Sequence, residues 1–254
     1  MLYNYHTHTA RCNHASPAPE REYVEKAIEA GMKTLGFSDH APYLFVGSDF
    51  QSYHRMKQDE IGLYADEVRA LQKEYEKDIR ILCGFELEYY PDYHKDEMQF
   101  LQAVKPDYLI LGQHFLGNEL NGIPVHGHLK TDADLSAYVT QVLAGLATGD
   151  FLYLAHPDIA GSNFSPEALE REYTRLCIGA KRMGIPLEIN FLGIRTNRCY
   201  PSEKCIEIAS KIGNDFVFGC DSHEPETIHD PLTEAKARAI VEKYHLNFIE
   251  NPFF

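Results

Sequence analysis

No stretch of this chain approaches the ~20 apolar residues that a helix needs to cross a bilayer. Its N-terminus lacks a basic region followed by an apolar one, so no membrane association is expected and a cytoplasmic location is. Basic residues are few: 24 Lys and Arg stand against 38 Asp and Glu, a net charge of −14. That balance argues against nucleic acid as a partner, since a broad nucleic-acid surface needs a basic face. The six cysteines, Cys12, Cys83, Cys177, Cys199, Cys205 and Cys220, form no CxxC pair and no dense framework. A disulfide scaffold is thereby excluded, a reducing compartment fits, and most of the thiols read as small buried hydrophobes. There is also no internal repeat, no low-complexity tract and no linker-like break. Single-domain organisation over residues 1–254 is therefore expected, and a hydrophobic content of 44% suffices for a sizeable core.

What the chain has instead is histidine, 13 of them. His6 and His8 end a short apolar run, Leu2 to Tyr5, and residues i and i+2 of a strand share a face, so both imidazoles can converge on one cation. Strand and helix then alternate. Helices are expected over Ser16–Ala30, Glu60–Lys77, Asp96–Val104, Ala133–Thr148, Ser165–Met183 (capped by Ser165-Pro166 and stopped by Gly184), Ser202–Ile212 and Glu234–Tyr244. Strands are expected at Thr34–His40, Ile79–Tyr89, Asp107–Phe115, Leu152–His156, Pro186–Phe191 and Phe216–His223. The segments 41–58 and 116–131 read as irregular loops, the first aromatic-rich and lid-like.

Nearly continuous apolar strands separated by helices indicate a parallel sheet covered on both faces. Polar residues fall at the C-terminal end of every strand: His6 and His8, then His14, Asp39-His40, Glu86, His114, His156, and Asp221 with His223. A doubly wound sheet would gather only the strands beside its switch point. A closed TIM-like barrel gathers them all, so an α/β barrel is the expected fold. A lone histidine at a strand end is usually a hydrogen-bonded structural residue, but nine nitrogen and oxygen ligands at strand ends point to metal. Imidazoles mixed with carboxylates suit Zn, Mn or Fe, and no cysteine at these positions argues against a thiolate zinc site.

The segments HTHT, SDH, GFELEY, GQHF, AHPD, EINFLGIR and GCDSHEP resemble the motifs of the polymerase and histidinol phosphatase (PHP) family, and within it those of the histidinol-phosphate phosphatases. The resemblance runs from His6 to the GCDSHEP segment. It implies a distorted (β/α)7 TIM-like barrel, three divalent metal ions (Mn, Zn or Fe), and hydrolysis of L-histidinol phosphate to L-histidinol and phosphate. It implies that His6, His8, Glu86 and Asp221 hold one ion. Glu86 bridges to a second held by His114 and His156, and His14, His40 and His223 hold the third. His14 stands where many members have Asp. Asp39 is expected to orient an imidazole from behind. Glu86, Asp221 and His223 are expected to be the catalytic members of the set.

Hydrolysis of a phosphate monoester needs an in-line nucleophile, neutralised phosphoryl oxygens and help for the departing alkoxide. A hydroxide shared by two cations fits the first need, because coordination lowers the pKa of water from 15.7 towards ~7. Arg195 and Arg198, just after the strand PLEINF, are the candidate substrate-binding residues, since a guanidinium fork matches a phosphoryl group; Arg195 is preferred. His54, His94, His126, His128, His229 and His245 match no ligand motif and are expected in loops or on the surface. Another small phosphate ester or a nucleotide remains an alternative substrate. An amidohydrolase is disfavoured by the Asp221-x-His223 ending, and a non-catalytic metal-binding barrel by the complete ligand set.

Overall fold

A computed structural model describes residues 1–253. The chain divides into two compact units: one of Met1–Leu87, Pro91–Ile110 and Gly219–Pro231, the other of Glu88–Tyr90, Leu111–Phe218 and the residues from Leu232 on. The architecture is α/β throughout.

In the first unit β1 (Tyr3–Asn4), β2 (Thr34–His40) and β3 (Arg80–Leu87) are parallel neighbours, and β4 (Tyr108–Leu111) follows in the sheet order. All seven residues of β2 are buried, as are seven of the eight of β3, which is the pattern of a sheet covered on both faces. The covering helices are α1 (Glu20–Glu29) and α2 (Ile61–Glu74), which bury Tyr23, Val24 and Ala27, and Tyr64, Ala65 and Val68. Helix α1 starts later than the sequence suggests because Pro17 and Pro19 hold the preceding residues extended. Helix α3 (His94–Leu101) packs in the same unit. Tyr108 locks the sheet: its hydroxyl donates to the carbonyls of Tyr5 (2.9 Å) and Phe37 (3.0 Å). Its ring fills the space a side chain would need at Gly36 and Gly84.

The second unit holds the hairpin β5 (Phe115–Leu116) and β6 (Ile123–Pro124), helices α4 (Asp132–Leu146) and α5 (Pro166–Met183), strand β7 (Leu187–Asn190), the one-turn helix α6 (Phe191–Arg195), and α7 (Glu203–Ile212). Strand β8 (Asp215–Gly219) pairs in parallel with β9 (Asn247–Phe248), and α8 (Pro231–Tyr244) lies between them in sequence. Helix α5 matches its expected bounds because its punctuation is explicit. Ser165 Oγ accepts from the Ala168 amide at 3.2 Å, Pro166 opens the first turn, and Gly184 closes the helix at φ 68°.

Several expectations are corrected. Leu152–His156 is no strand; only Leu154 bridges, in parallel, to Leu111 and Leu187. The strand expected to reach His114 stops at Leu111, and part of the 116–131 loop is the β5–β6 hairpin. The strand expected to reach His223 is β8, which ends at Gly219, so Asp221 and His223 stand in the loop beyond it. Segment 41–58 has a largely exposed middle flanked by buried residues, with Ala41, Tyr43, Phe45, Arg55 and Met56 all in the core. His94 is buried, not at the surface. Among the described residues, no helix is long and apolar enough to cross a membrane.

Candidate metal centre

The first unit assembles its site from strand ends and one strained loop. Residues 6–8 continue β1 between two neighbours. Thr7 receives a hydrogen bond from the Ser38 amide (2.8 Å) and bridges in parallel to Ser222, while the His8 amide donates to the Ser222 carbonyl (2.8 Å). Asn4 stitches the start of this segment, its Oδ1 accepting from the amides of His6 (3.2 Å) and Cys220 (3.0 Å). Asp221, at φ 45°, occupies the left-handed region, a conformation that costs a non-glycine residue of order 1–3 kcal/mol and that the flanking ladder holds in place. Strain of this kind collects where a side chain must be aimed.

Six side chains meet there. His6 Nε2 lies 3.5 Å from Glu86 and 3.7 Å from Asp221; His8 Nε2 lies 3.5 Å from Glu86 and 3.4 Å from Asp221. His40 Nδ1 is 3.1 Å from Glu86, and His223 Nδ1 is 3.4 Å from Asp221. The His8 and His223 rings stack with centroids 4.3 Å apart, and exposed His14 lies 4.9 Å from His223 and 5.3 Å from His40. His6, His8 and Glu86 present ligand atoms within 4.8 Å of one another, and so do His14, His40 and His223. The first trio belongs to the implied set of His6, His8, Glu86 and Asp221, and the second trio is the set implied for a third ion.

The electrostatics favour a cation. Burial alone would push the His8 imidazole down. Hydrogen bonding to Asp221 and Asp39 and the field of Glu86 outweigh it and hold its pKa up to about 9. Asp221 is buried too, which would raise it, yet His6, His8 and His223 keep its carboxyl well below the usual range. His223 goes the other way: burial and the His8 charge lower it to about 3. The buried carboxylates thus draw positive charge to His8 while His223 is held neutral, and the mixed imidazole and carboxylate donor set suits a borderline divalent ion.

Asp39, the residue expected to orient an imidazole, sits behind His8. It is fully buried, its Oδ2 accepts from the Thr9 amide (3.3 Å) and hydroxyl, its Oδ1 accepts from the His40 amide (2.8 Å), and Oδ1 lies 3.6 Å from His8 Nδ1. Cys12 is the surprise. It is buried, as the sequence suggests, but its Sγ joins the ligand atoms of His8 and His223 within 4.8 Å. Its position in the one-turn 3-10 helix Ala10–Cys12, between the two histidine motifs, was the only signal.

The second unit places the other expected residues. His114 and His156 lie with ring centroids 4.9 Å apart. His156 is aimed by a left-handed turn (φ 29°), its amide donating to Glu188 Oε2 at 2.9 Å, and Glu188 also receives Asn190 Nδ2 at 2.8 Å. Arg195 ends α6, half-buried, on a helix that begins because Asn190 Oδ1 accepts from the Gly193 amide at 2.9 Å. Exposed Arg198 donates to the Tyr200 hydroxyl at 2.9 Å, and the Tyr200 ring lies 5.7 Å from that of His156. The sequence places Glu88 on one strand face with Glu86 but gives neither it nor Glu188, both buried carboxylates, a role. Glu88 Oε1 lies 2.8 Å from His114 Nδ1, and its only sequence signal was its i+2 spacing from Glu86.

The PHP domain family matches residues 4–190, well over half the chain. The chain belongs to the PHP family. Among its PHP relatives, a probable histidinol-phosphatase of Deinococcus radiodurans is 27% identical over 232 residues, covering 88% of this chain and 87% of that protein. The histidinol-phosphatase of Bacillus subtilis is 24% identical over 247 residues, covering 86% and 92%. In structure, this PHP chain resembles the histidinol phosphate phosphatase of Lactococcus lactis, solved with zinc, L-histidinol and phosphate. The TM-score is 0.72 at 22% identity, over 98% of this chain and 95% of that one. The matched span includes HTHT and GFELEY, which carry His6, His8 and Glu86 of the cluster above.

Proposed function

We propose that this chain is a metal-dependent phosphomonoester hydrolase that converts L-histidinol phosphate to L-histidinol and phosphate. The observation that carries the reading is the buried cluster of His6, His8, Glu86 and Asp221 beside His14, His40 and His223, in a chain of the PHP family. The names and the bound histidinol of its relatives supply the substrate. The fold is read as a distorted (β/α)7 TIM-like barrel acting as one domain over residues 1–254. The centre is read as trinuclear, with Mn, Zn or Fe as the ions, and the family pattern assigns His114 and His156 to it.

Bound divalent ions would supply an acidified water and neutralise the phosphoryl oxygens. The chain's own residues do the rest. Glu86, with one carboxylate oxygen toward His6 and the other toward His8 and His40, is suited to bridge two ions. Asp221 holds negative charge against three imidazoles, and His223, kept neutral by burial, offers a lone pair. Arg195 is assigned to the phosphoryl oxygens, with Arg198 at the rim. In the net reaction water oxygen bonds to phosphorus, the P–O ester bond breaks, and a proton passes to the departing alkoxide.

The test is a panel of phosphate monoesters together with rescue of a strain that lacks histidinol phosphatase. Rescue, with kcat/KM for L-histidinol phosphate well above that for glycerol phosphate and nucleoside monophosphates, is expected. Failure to rescue with strong turnover of a nucleotide would transfer the assignment to another PHP phosphoesterase.

A further inference from the structure

We infer that Glu88 is the positioning residue of His114: its buried carboxylate fixes that imidazole in the tautomer that turns Nε2 outward as a ligand. The inference rests on the metal-centre reading and adds to it a residue that the ligand motifs leave out.

Glu88 is 1% exposed, and a buried carboxylate must be matched by donors. His114 Nδ1 stands 2.8 Å from its Oε1. A carboxylate only accepts, so Nδ1 carries the proton of that bond, and in the neutral imidazole Nε2 keeps its lone pair. The geometry is built from both sides. The Tyr89 amide, one residue after Glu88, donates to Gln113 Oε1 at 3.0 Å, one residue before His114. Gln113 Nε2 then donates to the Phe115 carbonyl at 2.7 Å, and Gln141 of α4 donates to the Tyr89 carbonyl at 2.8 Å. The two short segments are therefore tied to each other and to a helix, with the Glu88–His114 hydrogen bond between them.

A simple structural ion pair would need none of this alignment. His114 stands 4.9 Å, centroid to centroid, from His156, so the fixed imidazole faces another ligand candidate rather than bulk solvent alone. The Asp39–His8 contact at 3.6 Å is the looser counterpart in the first unit. A carboxylate behind a ligating imidazole sets its tautomer and raises its basicity, and loss of such a partner commonly weakens metal binding 10- to 100-fold.

The experiment compares wild type with Glu88→Gln and Glu88→Leu, each stripped of metal and titrated with zinc. Imidazole nitrogen resonances are followed by NMR, and thermal unfolding of the metal-free proteins is measured alongside. The expected result is an Nδ1-protonated His114 in wild type. One zinc equivalent should weaken about 10- to 100-fold, more in Leu than in Gln, with the other equivalents unchanged and metal-free stability kept. Wild-type zinc affinity in both variants would overturn the inference, and so would an Nε2-protonated His114. So would loss of every equivalent together with a fall in metal-free stability, which would make Glu88 a structural residue. A wild-type chain that binds no zinc would instead overturn the metal-centre reading, and the role of Glu88 with it.

Discussion

The two units bring their imidazoles forward by different means. In the first, His6, His8 and His40 ride on or beside parallel strands, and ladder hydrogen bonds from Ser38 and Ser222 set their direction. In the second, His114 and His156 lie outside regular strands, and the buried carboxylates Glu88 and Glu188 meet the His114 ring and the His156 amide. A strand-borne site is backed by a whole sheet, so changing one ligand should alter chemistry and leave the fold standing. A turn-borne site leans on contacts from individual side chains, so neighbours that touch no substrate should matter there.

The largest expected effect comes from the first unit. Glu86→Gln should lower kcat/KM about 10³-fold and reduce bound metal, while leaving far-UV circular dichroism unchanged, because Glu86 faces His6, His8 and His40 at once. Near-normal turnover with full metal would break the comparison at its stronger end. Arg195→Ala in the second unit should cost about 2–4 kcal/mol, roughly 30- to 1000-fold in kcat/KM. Metal content should not change, since arginine is no ligand, and inhibition by inorganic phosphate should weaken in parallel. Wild-type kinetics, or loss of metal, would show that α6 does not serve the phosphoryl group.

A control lies in the first unit. Glu97 is a buried carboxyl outside the cluster, on α3, accepting from the Leu44 amide at 2.8 Å. Burial raises its pKa from 4.5 to about 7, against the lowering effect of the Leu44 hydrogen bond and the Arg55 charge. The folded state therefore binds the proton more tightly than the unfolded one. The stabilisation is complete below about pH 4.5 and is lost as pH rises through about 7. Glu97→Gln should match wild type near pH 4.5 and gain up to about 3 kcal/mol over it by pH 8, read from denaturant unfolding at both pH values. A constant difference between the two proteins would show that Glu97 is ionised and matched. The smallest effect is expected for Arg198→Ala, under about 1 kcal/mol in kcat/KM and shrinking as salt rises, because this guanidinium is exposed. Tyr200→Phe, which removes its hydroxyl partner, should do no more.

The same contrast explains what could be read from the sequence. His6-x-His8 follows from the two-residue period of a strand, and α5 follows from Ser165-Pro166 and Gly184, because each is a local rule. The Leu152–His156 segment looked like a strand because it is apolar, but the His156 amide goes to Glu188 and the chain turns at φ 29°. The short helix α6 was hidden behind an apolar strand because its start depends on one Asn190 side chain. Glu88 and His114 lie 26 residues apart in sequence, and no local period links them. Cys12 reads as a buried thiol either way; only the fold shows which imidazoles surround it.

The central claim is that the imidazole–carboxylate cluster holds the ions that make this chain a phosphatase. The most direct test is elemental analysis of the purified protein, with L-histidinol phosphate turnover measured on the same sample before chelation, after chelation, and after return of Mn, Zn or Fe. The account predicts up to three divalent ions per chain, activity that disappears with them, and recovery when one of the three metals is restored. Well under one equivalent of metal, with turnover untouched by the chelator, would contradict it.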